Sequence, residues 1–136
     1  MKDYGSTILA AEFDMRSEVI ALGSNEFNIK LINLVSRDVC KVINVGQRFL
    51  VNNLRFYDRN SCVGFSCEKS IIFHRIESAK PLFTVRCSAI VSTYRTIESS
   101  LNTHVMIVLT LEKFEIWNLK DKVLIRFIEI DEAPQI

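Results

Sequence analysis

Three stretches share one pattern and decide the fold: Asn28-Ile29-Lys30-Leu31-Ile32-Asn33-Leu34, Ser70-Ile71-Ile72-Phe73-His74-Arg75-Ile76 and Lys113-Phe114-Glu115-Ile116-Trp117-Asn118-Leu119. Their last apolar residues, Leu34, Ile76 and Leu119, are separated by 42 and 43 positions. A period of about 40–45 residues is that of the four-stranded blades of propellers. The third copy carries Trp117-Asn118, which differs in its second residue from the Trp-Asp dipeptide of WD repeats. The repeat therefore predicts WD-type blades.

Each copy lies among further short strands, and β-branched and aromatic residues in these segments argue against helix. Turns rich in Asn, Asp, Ser and Gly separate them. The pattern predicts an all-β chain, a WD-repeat-like β-propeller of about three four-stranded blades, as a single partial domain with blades at approximately 1–46, 47–88 and 89–136. The predicted strands are 8–13, 19–22, 28–34 and 39–45; 51–56, 62–66, 70–76 and 82–87; and 89–94, 104–111, 113–119 and 123–130.

Three blades are too few for a closed ring, since propellers typically close with four to eight. Two terminal faces would stay open, with apolar side chains and unpaired strand edges exposed. We expect the chain to borrow blades from a partner, to self-associate, or to be a piece of a longer protein.

Composition limits the classes of function. The 136 residues suit one domain, and 49% hydrophobic residues supply a core. Seventeen Lys and Arg against sixteen Asp and Glu leave a net charge of +1, which argues against nucleic-acid binding. The apolar run at 105–109 is far shorter than the roughly 20 residues of a membrane span, and no secretory signal is evident. We expect a cytoplasmic protein.

The four cysteines, Cys40, Cys62, Cys67 and Cys87, form no C-x-x-C pair, and both histidines lie elsewhere. Cys62 and Cys67 are five positions apart, so on one strand they face opposite sides of the sheet. We expect buried, reduced thiols and no metal site.

Catalytic motifs are missing. The four glycines are widely scattered, so neither a G-x-G-x-x-G nor a G-x-x-x-x-G-K phosphate loop can form, and no G-x-S-x-G elbow exists. His74 and His104 could serve as acid–base groups, but both lie in apolar strand segments, and a structural role is the simpler interpretation. We predict that the protein is not an enzyme, with no catalytic residue and no cofactor.

Trp117 could anchor a partner, since interface hot spots favour Trp, but a blade-core position is favoured. Lys113, Lys120 and Lys122 could contact an acidic partner or headgroups, but nearby acidic residues favour a mixed solvated surface. The recurring phenylalanines indicate core positions and not a base-stacking platform. They are Phe49, Phe56, Phe65, Phe73 and Phe83.

Residues 105–134 resemble the PROPPIN proteins, the phosphoinositide-binding propellers of autophagy. The resemblance is carried by Val108-Leu109-Thr110-Leu111-Glu112-Lys113-Phe114-Glu115-Ile116-Trp117-Asn118-Leu119-Lys120-Asp121-Lys122-Val123-Leu124 and by Asp131-Glu132-Ala133-Pro134. In the family's third blade, an apolar strand ending in Leu-Glu precedes a strand ending in Tyr-Asn-aliphatic, then Lys-Asp, a Leu-rich strand, acidic residues and a Pro. Lys80-Pro81-Leu82-Phe83-Thr84-Val85 fits more loosely, and the match covers about a third of the chain.

The departures limit what the resemblance implies. The family's first blade carries an Asn-Gln-Asp turn after its Phe, whereas Phe13 is followed by Asp14-Met15-Arg16. The Phe-Arg-Arg-Gly lipid motif lies in later blades that this chain does not contain. The resemblance implies N-terminal blades that dock proteins in autophagy or membrane trafficking, in the cytoplasm or peripheral to membranes, with phosphoinositide bound only through later blades. Partner-binding residues stay unknown. The alternative is a WD-repeat scaffold subunit of an unrelated complex, completed by a partner's blade; an enzyme using propeller loops ranks last.

Overall fold

The computed structural model describes residues 8–14, 16, 18–24, 26–46, 51–98 and 104–129. These residues form twelve antiparallel strands in three four-stranded sheets, with no helix among them. The all-β prediction and the prediction of four strands per repeat are thereby confirmed. The described part of the chain offers no long apolar helix that could cross a lipid bilayer.

The first sheet has the order β1-β2-β3-β4. Its strands are β1 (Ile8–Phe13), β2 (Val19–Ser24), β3 (Asn28–Asn33) and β4 (Val39–Asn44). Side chains stabilise two of its turns. Asp14 Oδ1 accepts a hydrogen bond from the Glu18 N–H at 2.9 Å, and Asn33 Oδ1 accepts one from the Val35 N–H at 2.9 Å. Both are the local bonds that make Asp and Asn common in turns.

The second sheet repeats this order with β5, β6, β7 and β8. Its strands are β5 (Asn52–Tyr57), β6 (Cys62–Cys67), β7 (Ser70–Arg75) and β8 (Pro81–Arg86). Residues 58–61, between the strands predicted at 51–56 and 62–66, form a turn. Asp58, Arg59 and Asn60 all have positive φ angles of 53°, 52° and 66°, a region that Asn and Asp enter more readily than most residues.

The third sheet has the order β9-β10-β11-β12. Its strands are β9 (Val91–Glu98), β10 (His104–Thr110), β11 (Lys113–Asn118) and β12 (Val123–Glu129). The prediction ended the first of these strands at residue 94, which is wrong by four residues. Pairing with β10 continues to His104 opposite Glu98, so the longer neighbouring strand extends the ladder. Ile130 lies outside the described residues.

Contacts divide the chain into two compact units: Met1–Cys67 with Ile72–Thr84, and Glu68–Ile71 with Val85–Ile136. The first unit holds the first sheet and most of the second. Its core joins residues of both sheets in one apolar cluster. The cluster contains Ala21, Ile29, Leu31, Ile43, Val45, Val51, Leu54, Val63, Phe65 and Ile72. The proposed blade boundaries at 1–46, 47–88 and 89–136 stay a prediction.

Gly23 marks where the backbone of the first sheet approaches the start of the second. The prediction ended the strand at residue 22, but pairing with Ile29 keeps Gly23 in β2. A Cβ at this position would lie 2.7 Å from Val51 Cγ1 and 2.9 Å from Val51 Cβ. No side chain fits there, which explains a glycine inside the strand.

Candidate interaction surface

The two faces of the third sheet follow from its strand register. Met106 lies opposite Thr96 and Trp117, and Val108 lies opposite Tyr94 and Glu115. Side chains alternate between faces along each strand, so these residues share one face. Tyr94, Met106, Val108 and Glu115 are all at most 2% exposed. We call this the buried face of the third sheet.

The opposite face is apolar and open. We call it the open face, and its apolar members are Ile97, Val105, Ile107, Leu109, Phe114, Ile116 and Ile128. Four of these stay strongly exposed: Ile97 by 51%, Ile107 by 38%, Phe114 by 40% and Ile128 by 46%. Contiguous exposed apolar surface of this kind is typical of interaction sites in soluble proteins.

The first sheet shows what the same positions do when they are covered. Ile29 pairs with Ile43, and 85 residues later Phe114 pairs with Ile128. Both Ile29 and Ile43 are 0% exposed, in the cluster that joins the first and second sheets. The open face thus presents positions that, in the first unit, pack against a neighbouring sheet.

Two cations interrupt the open face. Arg95 lies opposite Ile107 on β9, and Arg126 lies opposite Ile116 on β12; both are exposed. In the first sheet the position of Arg95 is occupied by Glu12, opposite Ala21. Glu12 Oε2 accepts a charged hydrogen bond at 3.0 Å from Arg55 Nη1 in the second sheet. A partner of the open face would therefore match Arg95 with a carboxylate.

A buried carboxylate organises the other face. Glu115 Oε2 accepts hydrogen bonds from the Ser88 N–H at 3.0 Å and the Ser88 hydroxyl at 2.8 Å. Glu115 Oε1 accepts one from Trp117 Nε1–H at 3.0 Å. Three donors compensate for the burial of the charge. The network ties β11 to the β8–β9 connection, a link between residues 27 positions apart that the repeat pattern did not reveal.

Trp117 is half-buried and held by this hydrogen bond on the same side of the sheet as Met106. The predicted core position is thus met in part, because the ring also keeps some contact with solvent. Lys113 Nζ lies 4.5 Å from the centroid of the Phe127 ring, a cation–π contact. Lys120 and Lys122 are exposed, as expected of a solvated surface.

The structure describes all four cysteines, and none of them forms a disulfide. Cys62 and Cys87 are buried, as predicted, and Cys67 is half-buried. Cys40 is exposed, so its predicted burial is wrong: it lies on β4, an edge strand, where its thiol donates to the Leu31 carbonyl at 3.2 Å. Burial, together with the Glu115 carboxylate, raises the pKa of Cys87 to about 12, which keeps this thiol neutral.

His74 is buried and stacks on Phe65, with ring centroids 5.9 Å apart. Its Nδ1 has no hydrogen-bond partner in the described structure. Burial lowers the pKa of His74 below 6.5, so the ring is neutral at physiological pH. The packing matches the structural role expected of it. His104 is half-buried at the start of β10.

The phenylalanines predicted as core are mostly inside. Phe65 and Phe73 are 0% exposed. Phe73 contacts Tyr57 and Phe83, with ring centroids 5.1 and 4.8 Å apart. Phe56 packs against the core of the first unit. Phe49 lies outside the described residues.

The first unit also contains a cavity of about 350 Å³. Its apolar walls include Val19, Leu31, Phe56 and Ile76, and Asp14, Lys41 and Glu77 also line it. Lys41 Nζ donates to the Glu77 carbonyl at 2.7 Å, so this ammonium links β4 of the first sheet to the β7–β8 turn.

Comparison with known proteins supports the architecture. No protein-family model and no curated protein matches the chain. Among solved structures, U3-55K and the WD40 repeats of RRP9 are similar, each with a TM-score of 0.72 and 13% sequence identity. The match covers 94% of this chain in both cases, but 41% of U3-55K and 40% of RRP9.

This likeness concerns the fold, and it does not extend to the PROPPIN family named by the sequence resemblance. Two WD40 propellers match nearly all of the chain, which spans about 40% of the length of either one. The three antiparallel sheets match blades of the WD40 type.

Proposed function

We propose that the chain is a non-enzymatic WD-repeat module for protein–protein interaction, and that the open face of the third sheet is its docking surface. One observation carries the proposal: Ile97, Ile107, Phe114 and Ile128 are 38–51% exposed on one side of a single sheet. Covering apolar surface gains roughly 25 cal/mol per Å², so a partner that covers this face is favoured. The proposal needs no catalytic residue, cofactor or metal.

The specific role proposed is that of a PROPPIN-like protein in autophagy or membrane trafficking. Support comes from the resemblance of residues 105–134 to that family's third blade. The protein would act in the cytoplasm and peripherally at membranes. Because residues 1–136 contain no Phe-Arg-Arg-Gly motif, they are expected to leave phosphoinositide vesicles unbound.

The alternative is a scaffold subunit of an unrelated complex, in which a partner supplies the next blade. The same open face favours it, since a neighbouring sheet covers the equivalent positions in the first unit. The two roles differ in the identity of the partner and share the docking surface.

Proximity labelling in cells, followed by mass spectrometry, tests the module and separates the roles. Ile107→Glu places a charge on the open face and should remove partners that dock there. Leu82→Glu is the matched control, since Leu82 is 36% exposed on the second sheet and Ile107 is 38% exposed. Loss of autophagy proteins with Ile107→Glu alone supports the PROPPIN-like role, and loss of another assembly supports the scaffold. Identical partner sets for both variants would refute the docking of another protein on the open face.

Vesicle flotation addresses the lipid expectation. Vesicles of phosphatidylcholine, with and without phosphatidylinositol 3-phosphate, are mixed with residues 1–136. No difference between the two is expected. Phosphate-dependent flotation would contradict the assignment of lipid binding to later blades.

A further inference from the structure

The three sheets share one register, so equivalent positions can be compared directly. Ala21, Gly64 and Ile107 are 43 residues apart in turn, and they lie opposite Glu12, Arg55 and Arg95 respectively. These three charged residues therefore occupy the same place on the first strand of each sheet. The packing of the first sheet on the second can then serve as a template for the open face of the third.

In the first unit, the second sheet covers the first with Leu54, Val63 and Phe65. The residues 43 positions earlier are Ala11, Ile20 and Leu22, all on the side of the first sheet that faces away from the second. We call this side the outer face of the first sheet. Its apolar members are Ala11, Phe13, Ile20, Leu22, Ile32, Val39 and Val42. Phe13 is 54% exposed and Val39 42%.

We infer that the outer face of the first sheet in a second copy of this chain covers the open face of the third sheet, head to tail. The apolar residues of both faces are then buried in a contact that repeats the packing between the first and second sheets. The inference rests on the proposed function, because it names the partner that docks on the open face.

Charge supports this pairing. In the first unit, Glu12 meets Arg55 at 3.0 Å. In the head-to-tail contact, Arg95 takes the place of Glu12, and Glu12 of the second copy takes the place of Arg55. Glu12 of the second copy, which already pairs with its own Arg55, then lies between two guanidinium groups. Lys30 also lies on the outer face, and Glu26 of the same chain offsets its charge at 3.8 Å.

The fourth strand of each sheet supplies a second polar contact that the head-to-tail arrangement would repeat. Lys41 lies opposite Leu31 and donates to the Glu77 carbonyl in the second sheet. Arg126, opposite Ile116, is the equivalent of Lys41, and Val35 is the residue 42 positions before Glu77. Val35 is 87% exposed. Arg126 can therefore donate to the Val35 carbonyl of the second copy.

Two such contacts per molecule suit a closed dimer. A sheet of four six-residue strands presents about 400 Å², given a strand spacing of about 4.8 Å and a rise of about 3.3 Å per residue. Two contacts cover about 800 Å² per copy, the size of a typical specific interface.

Light scattering during size-exclusion chromatography of residues 1–136 tests the inference. A dimer at micromolar concentration is expected. Ile107→Glu on the open face, or Ile20→Glu on the outer face, should raise its dissociation constant by about a hundredfold, since each buries an unpaired charge. Leu82→Glu should leave it unchanged. A monomeric wild-type chain, or a dimer insensitive to Ile107→Glu and Ile20→Glu, overturns the inference.

Mixing the two variants tests the head-to-tail arrangement. The open face of the Ile20→Glu chain and the outer face of the Ile107→Glu chain are both intact, so the mixture keeps one intact contact and should associate more strongly than either variant alone. Each variant alone should stay monomeric, with a wild-type circular dichroism spectrum. A mixture that associates no more strongly than either variant alone overturns this arrangement.

Charge reversal gives an independent measurement. Arg95→Glu places two carboxylates together across the contact and should weaken the dimer about tenfold. Arg86→Glu, at an exposed position of β8, is the control and should have no effect. Equal weakening by both would overturn the proposed Arg95–Glu12 pair.

These results separate this inference from the proposed function. A monomeric wild-type chain that loses a cellular partner through Ile107→Glu would overturn self-association and leave the docking surface standing. A dimer sensitive to Ile107→Glu, with no change in cellular partners, supports the second copy as the occupant of the open face.

Discussion

The first and third sheets place apolar residues at the same positions, yet only the first sheet buries them. Ile29 and Ile43 are 0% exposed, whereas Phe114 is 40% and Ile128 46% exposed. All four are strongly apolar and share one register. The difference comes from the neighbour: a second sheet packs on Ile29 and Ile43 within the first unit. Whether an apolar residue of a blade is buried thus depends on a neighbouring sheet packing against it, and not on the residue type alone.

On the opposite faces of these two sheets the order of burial is reversed, because here the residue of the third sheet is the more deeply buried one. Lys30 and Glu115 are equivalent, since Lys30 pairs with Leu22 and Val42, and Glu115 pairs with Val108 and Phe127. The side chain of Lys30 is 20% exposed and ion-paired, while Glu115 is 2% exposed and accepts three hydrogen bonds. A charged residue can occupy the same strand position for two different physical reasons.

The largest expected effect compares Ile43→Ala with Ile128→Ala. Truncation of Ile43 leaves a cavity between two sheets and should lower the free energy of unfolding by about 2–5 kcal/mol. Truncation of the half-exposed Ile128 should cost less than about 1 kcal/mol. Urea unfolding at a concentration where the chain is monomeric measures both.

Two signals locate the losses. Circular dichroism follows all three sheets, and the fluorescence of the single Trp117 reports on the third sheet. Equal destabilisation by Ile43→Ala and Ile128→Ala would contradict the unequal covering of the two sheets.

The second prediction compares Glu115→Leu with Lys30→Leu. Replacing Glu115 leaves the Ser88 and Trp117 donors without their acceptor, and should cost about 2–3 kcal/mol. Replacing Lys30 removes a partly exposed ion pair and should cost less than about 1 kcal/mol. Urea unfolding measures both free energies, and a shift of the Trp117 emission maximum should accompany Glu115→Leu alone. Similar losses would show that the Glu115 network contributes no more than a surface pair.

The smallest expected effect is a pH dependence of stability that comes from His74 in the second sheet. His74 occupies the position of the repeat that Ile32 has in the first sheet and Trp117 in the third. Burial lowers the pKa of His74 in the folded chain below 6.5. Below about pH 6.5 the unfolded chain therefore binds a proton that the folded chain does not, and stability falls by up to about 1.4 kcal/mol per pH unit. This loss ends once the pH drops below the folded-state pKa. Above pH 6.5 His74 contributes no slope.

Thermal or urea unfolding between pH 5 and 8 measures this slope, with His74→Phe as the test and His104→Asn as the control. His74→Phe should remove the contribution of His74, and His104→Asn should preserve it. An unchanged slope in His74→Phe would show that another group is responsible.

Most of the strand pattern could be predicted from local chemistry. β1 begins at Ile8 and ends at Phe13 as predicted, because apolar β-formers there meet turn-forming Asp14. β9 was predicted four residues too short, because its end depends on pairing with β10. Gly23 was left outside the predicted strand for a similar reason: its contact with Val51 joins positions 28 residues apart.

The order of residues was enough to specify strands, turns and the 43-residue period, because these depend on alternation and on local hydrogen bonds. Whether each face of a sheet is buried or exposed could not be predicted from the order of residues. Ile43 and Ile128 look alike along the chain, and only the packing of one sheet on another distinguishes them. The bonds of Glu115 to Ser88 likewise arise only after distant strands meet, since a hydrogen bond needs two groups within about 3 Å of each other.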